Sequence, residues 1–312
     1  MKQKQQIPYN AQTTNQSSNR SKFAIWIEAM RLRTLPASIS GVLAGLAVAM
    51  QCGHFIWLPA VICLLFALAA QIGSNFANEL YDYRDGLDKP GRDGFRRGVT
   101  EGDISPLEMQ RAMAIAFGSA ALLGLSLIYW GGWWLIFAGL FIFIGALSYS
   151  AGPFPLSRNA LGELAVVVFY GLIPATFTFY LQTEYFSYAD SMVGLAFGLL
   201  SANILIVNNY RDYEDDMAVG KLTTAVVFGR KAVAMAYLIN GFLAIALTAC
   251  FWKAAGIVTF VFPALFLVGH CCLWRRLTTR EGRELNPILA KTAMLILLLA
   301  ISLFAVSVPL AL

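Results

Sequence analysis

Nine apolar runs, each near the length needed to cross a lipid bilayer, constrain this chain more than any other feature. They lie at roughly 35–51, 55–77, 110–130, 132–150, 161–181, 190–208, 232–252, 255–274 and 288–311. About 20 apolar residues in a helix traverse the hydrocarbon core. Composition agrees, because 58% of the 312 residues are apolar and only 13% are charged, whereas soluble domains carry roughly a quarter charged. The expected fold class is all-α: a polytopic membrane protein of about nine transmembrane helices, in a single transmembrane domain over 23–312. Residues 1–22 are rich in Gln, Asn, Ser and Lys and have no apolar core. They are expected to form a disordered polar tail rather than a cleavable signal. The five cysteines fall in or beside apolar runs, with neither disulfide nor zinc spacing, and read as small packing residues.

The breaks between runs alternate in length. Those at 51–54, 131–132 and 253–254 are tight, while those at 78–109, 151–160, 209–231 and 275–287 are long and polar. The polar stretch 182–189 is the exception, falling among the short ones. Of the 23 Lys and Arg residues, 22 lie on the side of the N-terminus and the long breaks, and Lys253 alone lies opposite. The positive-inside rule then places the N-terminus and the long loops in the cytoplasm. An odd number of crossings puts Leu312 on the far side. Membrane topology and contact with anionic lipid account for the net charge of +5, and no nucleic-acid partner is expected.

Two of the runs end in related acidic motifs. After the second comes Asn78-Glu79-Leu80-Tyr81-Asp82-Tyr83-Arg84-Asp85-Gly86-Leu87-Asp88, and after the sixth Asn208-Asn209-Tyr210-Arg211-Asp212-Tyr213-Glu214-Asp215-Asp216. Each has Asn, then Asp four residues on, then Asp seven residues on. If the helix continues, these spacings put Asn78, Asp82 and Asp85 on one face, and likewise Asn208, Asp212 and Asp215 or Asp216. The motifs lie four helices apart, which suggests two four-helix halves of like orientation plus a ninth helix. Facing carboxylates repel unless a cation lies between them. Magnesium suits such a place, since it takes hard oxygen ligands from one or two carboxylates and completes its shell with phosphate and water. Interleaved cations Arg84, Lys89, Arg92, Arg96, Arg97, Lys221 and Arg230 suit a diphosphate.

On these residues the chain resembles the UbiA superfamily of intramembrane prenyltransferases over nearly its whole length after the polar tail. It is most similar to the branch that prenylates 1,4-dihydroxy-2-naphthoate in menaquinone synthesis. Besides the two acidic motifs, the likeness rests on Arg31-Leu32-Arg33-Thr34-Leu35-Pro36-Ala37-Ser38. It rests too on Tyr149-Ser150-Ala151-Gly152-Pro153-Phe154-Pro155-Leu156 with Leu161-Gly162-Glu163, and on Gly220-Lys221 with Thr223. The chain departs from the pattern at Leu32, where Pro is usual, and at Glu79, where Asp is common. No Lys follows Tyr149 at the wider superfamily's spacing, and Arg158 is a candidate replacement.

The resemblance implies a UbiA-like fold in the bacterial cytoplasmic (inner) membrane, a polyprenyl diphosphate donor and an aromatic acid acceptor. It implies that Asp82, Asp85 and Asp88 hold one Mg2+, and Asp212 with Asp216 a second. Arg84, Lys89, Arg92, Arg97, Lys221 and Asn208 would bind diphosphate. Asn78 and Asn208 would orient phosphate or metal-bound water, and Tyr81, Tyr149 and Tyr210 would face the allylic cation. Asp82, Asp212, Asn78 and Tyr149 are thus the expected catalytic residues. Arg31 and Arg33 are candidates for the acceptor carboxylate or the diphosphate, with topological anchoring as the competing explanation.

Two other readings compete. A divalent-cation or phosphate transporter places ionisable groups near the bilayer midplane, whereas here they cluster at the cytoplasmic helix ends. An acceptor such as 4-hydroxybenzoate is the alternative within the enzyme class.

Overall fold

The computed structural model describes residues 20–91 and 93–311. Most of the expected polar tail (1–19), together with Arg92, lies outside the described residues. Among them, nine helices occupy the nine apolar segments: α1 (Pro36–Gln51), α2 (Trp57–Arg84), α3 (Pro106–Gly131), α4 (Leu135–Ser148), α5 (Gly162–Thr183), α6 (Tyr188–Arg211), α7 (Arg230–Ala254), α8 (Ile257–Thr279) and α9 (Asn286–Ala311). Seven of these are long and apolar enough to cross a membrane, and an eighth crossing arises if α1 is joined to the preceding Lys22–Thr34 segment, bent from it by 45°. At 14 residues, α4 is about 21 Å long at 1.5 Å per residue, short of the ~30 Å hydrocarbon core. Nine helical segments are therefore present among the described residues, of which seven, or eight with the bent pair, are by themselves long and apolar enough to cross.

Local sequence accounts for the helix boundaries. Ser105 and Glu108 form a reciprocal capping box with Pro106 in the first turn of α3, which satisfies amides that helix starts leave unpaired. Ser187 and Asp190 do the same for α6. Gly132, at φ 83°, breaks the chain between α3 and α4, a conformation that glycine adopts without steric cost.

The centre of the bundle is α6, buried along most of its length, with α1 and α5 beside it. Lipid tails are as apolar as leucine, so close backbone packing drives helix association in a bilayer more than hydrophobic burial does. Gly41 and Gly45 bring α1 onto α5, where an added Cβ would lie 2.5 Å from Tyr170 O and 2.4 Å from Ala175 O, respectively. Pro174 cannot donate to the carbonyl four residues back, which is that of Tyr170. The preceding residues Val167–Leu172 widen into a π-helical turn. Gly171 in this turn meets Gly194 and Gly198 of α6. In the second half, buried polar groups pair across helices: Tyr237 with Thr292 at 2.9 Å, and Asn240 with Asn203 at 2.9 Å. All five cysteines are free thiols.

Three loops cover one end of the bundle. A parallel bridge joins Asn159 to Leu222, with Ala160 N donating to Leu222 O at 2.7 Å. That bridge ties the loop after α4 to the loop after α6. The 85–105 loop folds back because buried Glu79 accepts from Val99 N at 3.0 Å, and it reaches α9 where Asn286 donates to Asp93 O at 3.2 Å.

Candidate active site

Both acidic motifs sit at this covered end. α2 carries Asn78 and Asp82 in its last two turns and stops at Arg84, so Asp85 caps the helix rather than extending its face. α6 stops at Arg211, and Asp212 is the junction to a short helix Tyr213–Ala218, which buries Asp216 and leaves Asp215 exposed.

Asp82 is the hub. Its side chain is 1% exposed and meets Arg158 at 3.1 Å, Lys221 at 3.9 Å and Arg97 at 4.0 Å. Asn78 donates to the same carboxylate at 3.2 Å and accepts from Arg31 at 2.8 Å and Arg97 at 3.2 Å. Lys221 also lies 3.6 Å from Asp216, Arg97 pairs with Asp88 at 3.2 Å, and Arg158 bridges Asp82 and Asp85. The two motifs are thus joined by protein cations. Arg97, Arg158 and Lys221 meet the expectation that a cation must lie between facing carboxylates, at least in part from the protein itself. Asp212 is held by its neighbour Arg211 at 2.7 Å, and Arg211 also donates to Asn208 and Asn286, each at 2.7 Å.

The remaining expected residues divide between this site and its surroundings. Arg31 lines the cavity described below and adopts a left-handed backbone (φ 54°) that costs a non-glycine residue roughly 1–2 kcal/mol. Arg33 lies over the Phe95 ring at 5.1 Å, with Arg211 over the same ring at 5.3 Å. Arg84 faces outward onto Gln110 at 3.0 Å and the Tyr81 ring, and Arg230 stacks on Tyr210 and Tyr213. Lys89 borders a small cleft with Asp88, Asp215, Asp216 and Lys221. Phe95 thus pins the folded loop between two guanidiniums. Phe95→Ala is expected to lower stability by about 1–2 kcal/mol, at ~0.5–1 kcal/mol per contact, which thermal unfolding in detergent would measure.

A cavity of about 900 Å3 opens beneath the hub. Arg31, Asn78, Arg97, Tyr149, Asn208 and Lys221 line its polar end, while Phe66, Phe117, Phe143, Phe169 and Phe177 line its apolar length. Sequence reasoning missed three side chains here. Ser150 accepts from Asn78 at 3.1 Å, Glu79 anchors the loop, and Glu163 accepts from Asn209 at 2.8 Å and from Thr224. Glu163 stood within a quoted motif, but nothing local distinguished it from a helix-start carboxylate.

Whether magnesium fits can be judged from the donor set. Every acidic donor is a hard oxygen, as magnesium requires. Among the described residues, no three acidic, His or Cys side chains converge into a metal site. An ion here needs phosphate oxygens to complete its shell, the usual arrangement for magnesium.

Comparison with known proteins agrees with this architecture. Residues 38–299 match the UbiA prenyltransferase family. A 1,4-dihydroxy-2-naphthoate octaprenyltransferase of Mycobacterium tuberculosis is 33% identical over 90% of this chain and 96% of its own. The Escherichia coli protein of that name is 36% identical over 67% of this chain and 70% of its own. Among solved structures, a UbiA homolog from Archaeoglobus fulgidus bound to GPP and Mg2+ superposes with a TM-score of 0.63 at 20% identity, covering 90% of this chain and 99% of that one. One from Aeropyrum pernix gives 0.65 at 15% identity, covering 88% and 98%. With its acidic motifs meeting over a largely apolar cavity that is polar at one end, inside a bundle of this shape, the chain belongs to the UbiA prenyltransferase family.

Proposed function

We propose that this protein transfers a polyprenyl group from a prenyl diphosphate to 1,4-dihydroxy-2-naphthoate with loss of the acceptor's carboxylate, giving demethylmenaquinol, the reduced form of demethylmenaquinone. One observation carries the reading: a single cavity is cationic where the two aspartate motifs meet and hydrocarbon-like along the rest. A prenyl diphosphate has the same polarity along its length. Its tail costs about 0.8 kcal/mol per CH₂ to expose to water, which is the physical reason to build the site inside a membrane. The names of the relatives in Mycobacterium tuberculosis and Escherichia coli support the naphthoate acceptor.

In this reading Arg97, Lys221, Asn208 and Asn78 bind and orient the diphosphate, with Arg158 holding Asp82 in place. Lys89 meets its outer oxygens, Arg92 stays a diphosphate candidate on sequence alone, and Arg31 takes either the diphosphate or the acceptor carboxylate. Asp82, Asp85 and Asp88 would hold one magnesium ion and Asp212 with Asp216 a second, each shell completed by phosphate and water oxygens. When bound, magnesium supplies Lewis-acid neutralisation of charge on the departing diphosphate. The apolar wall and Tyr149 shield the allylic cation from water. The covered end faces the cytoplasm and the C-terminus the opposite side, which the excess of Lys and Arg in the loops supports.

The test is incubation of purified protein with magnesium, a prenyl diphosphate and either dihydroxynaphthoate or 4-hydroxybenzoate, with products identified by mass. Prenylated naphthoquinol lacking the carboxylate is the expected product. Turnover of hydroxybenzoate alone would overturn the acceptor assignment, and magnesium-independent turnover would overturn the metal.

A further inference from the structure

We propose that Glu163 is the base that takes the acceptor's ring-hydroxyl proton during prenyl transfer, an assignment that rests on the reading above. Among the described residues, Glu163 is the one carboxylate on the wall of the 900 Å3 cavity. The aspartates of the two motifs stand behind that wall, engaged with arginines and lysine. Glu163 sits in the first turn of α5, where the cavity changes character. On one side lie Asn208, Asn209, Thr224 and Lys221, and farther along the same helix Val166, Phe169, Ile173 and Phe177 continue the apolar wall. A donor with its diphosphate among the cations and its tail along the phenylalanines places its reacting carbon at this boundary. The acceptor ring must lie there too.

The hydrogen bonding of Glu163 is asymmetric. Oε1 accepts from Asn209 and Thr224, while Oε2 is buried without a hydrogen-bond partner. A buried, unsatisfied carboxylate oxygen costs free energy, and an ionisable group inside a membrane helix commonly marks a functional site. Asn209 and Thr224 fix the side chain, leaving one oxygen for a hydroxyl. The other charged or titratable groups at this end are Tyr149 from the end of α4, Lys221 from the loop after α6, Arg31 before α1, Arg97 from the 85–105 loop, Tyr81 of α2 and Tyr170 of α5. Guanidinium, ammonium and phenol cannot accept a proton at neutral pH, so the role falls to Glu163.

In the step itself, the C1–O bond of the donor breaks with its electron pair going to the diphosphate. The ring carbon donates a pair to C1 as Glu163 takes the hydroxyl proton and the ring oxygen becomes a carbonyl. Departure of the carboxylate as CO₂ returns its electron pair to the ring, and the proton passes back from Glu163 to the oxygen. No external oxidant or base is consumed.

The experiment compares wild type, Glu163→Gln and Glu163→Asp, with magnesium, a prenyl diphosphate and each of the two acceptors, across pH. Gln keeps the shape and an oxygen for Asn209 and Thr224. Glu163→Gln is expected to lower kcat about a hundredfold or more, with prenyl diphosphate affinity unchanged. Wild-type kcat falls as the pH drops and the carboxylate protonates, and this acid limb is absent in Glu163→Gln. Glu163→Asp recovers part of the rate together with the limb. A Glu163→Gln protein with wild-type kcat and an intact acid limb overturns the proposal. If Glu163→Gln does not fold, Glu163→Asp decides: activity with the acid limb supports the role, and folded protein lacking both overturns it. If the wild type prenylates hydroxybenzoate alone, the acceptor assignment fails, while the same variants on hydroxybenzoate still decide the role of Glu163.

Discussion

Asp82→Ala is expected to lower prenyl-transfer turnover about a thousandfold, the upper range for removing one electrostatic group from a preorganised site. It should also destabilise the fold. The Asp82 side chain is 1% exposed and lies within 4.0 Å of Arg97, Arg158 and Lys221. Removing one partner of a buried ion pair costs about 3–5 kcal/mol, because the remaining charge stays desolvated. Asp82→Asn keeps the shape and the contact with Asn78 while deleting the charge, so it isolates the share of both effects that the charge carries from the share due to lost packing. Turnover, magnesium titration and thermal unfolding in detergent would measure them together. Full activity of both Asp82→Ala and Asp212→Ala would sink the proposal that these motifs hold metal and diphosphate.

The second large effect is structural. Gly171→Val is expected to prevent accumulation of folded protein. A Cβ at Gly171 would lie 2.2 Å from Gly198 Cα and 2.4 Å from Gly194 O, both backbone atoms that no rotamer change can move. Overpacking of side chains costs about 1–3 kcal/mol, and a backbone clash between two central helices should exceed that. Gly118→Ala is the control, because nothing lies within 4 Å of its Cβ position. There the gain in helix propensity is about 0.5–1 kcal/mol. Size-exclusion profiles and unfolding midpoints check both, and a Gly171→Val protein as stable as wild type would refute the packing argument.

How much of this was legible beforehand depends on the range over which each feature is determined. The positions of the nine helices α1–α9 could be read, because the length of an apolar run and the caps around it are local properties. The repeated Asn–Asp spacing could be read for the same reason, since three- and four-residue steps fix neighbours on one helix. The expected continuation of those helices failed at Asp85 and Asp212, where the chain turns. At α4 the helix is shorter than the apolar run that marked it, because residues 132–134 form a turn rather than helix.

What the sequence alone determined is an all-α membrane bundle with two matched acidic helix ends, as composition, periodicity and spacing require. Only the tertiary structure decided which protein cations meet those acids. Arg97, Arg158 and Lys221 come from three different loops, and nothing in their local sequence distinguishes them from Arg84 or Arg230, which face elsewhere. It alone placed Glu163 on the cavity wall and Phe95 between two guanidiniums. Such pairings depend on how helices pack, and glycine contacts between backbones fix that packing at positions far apart in the chain.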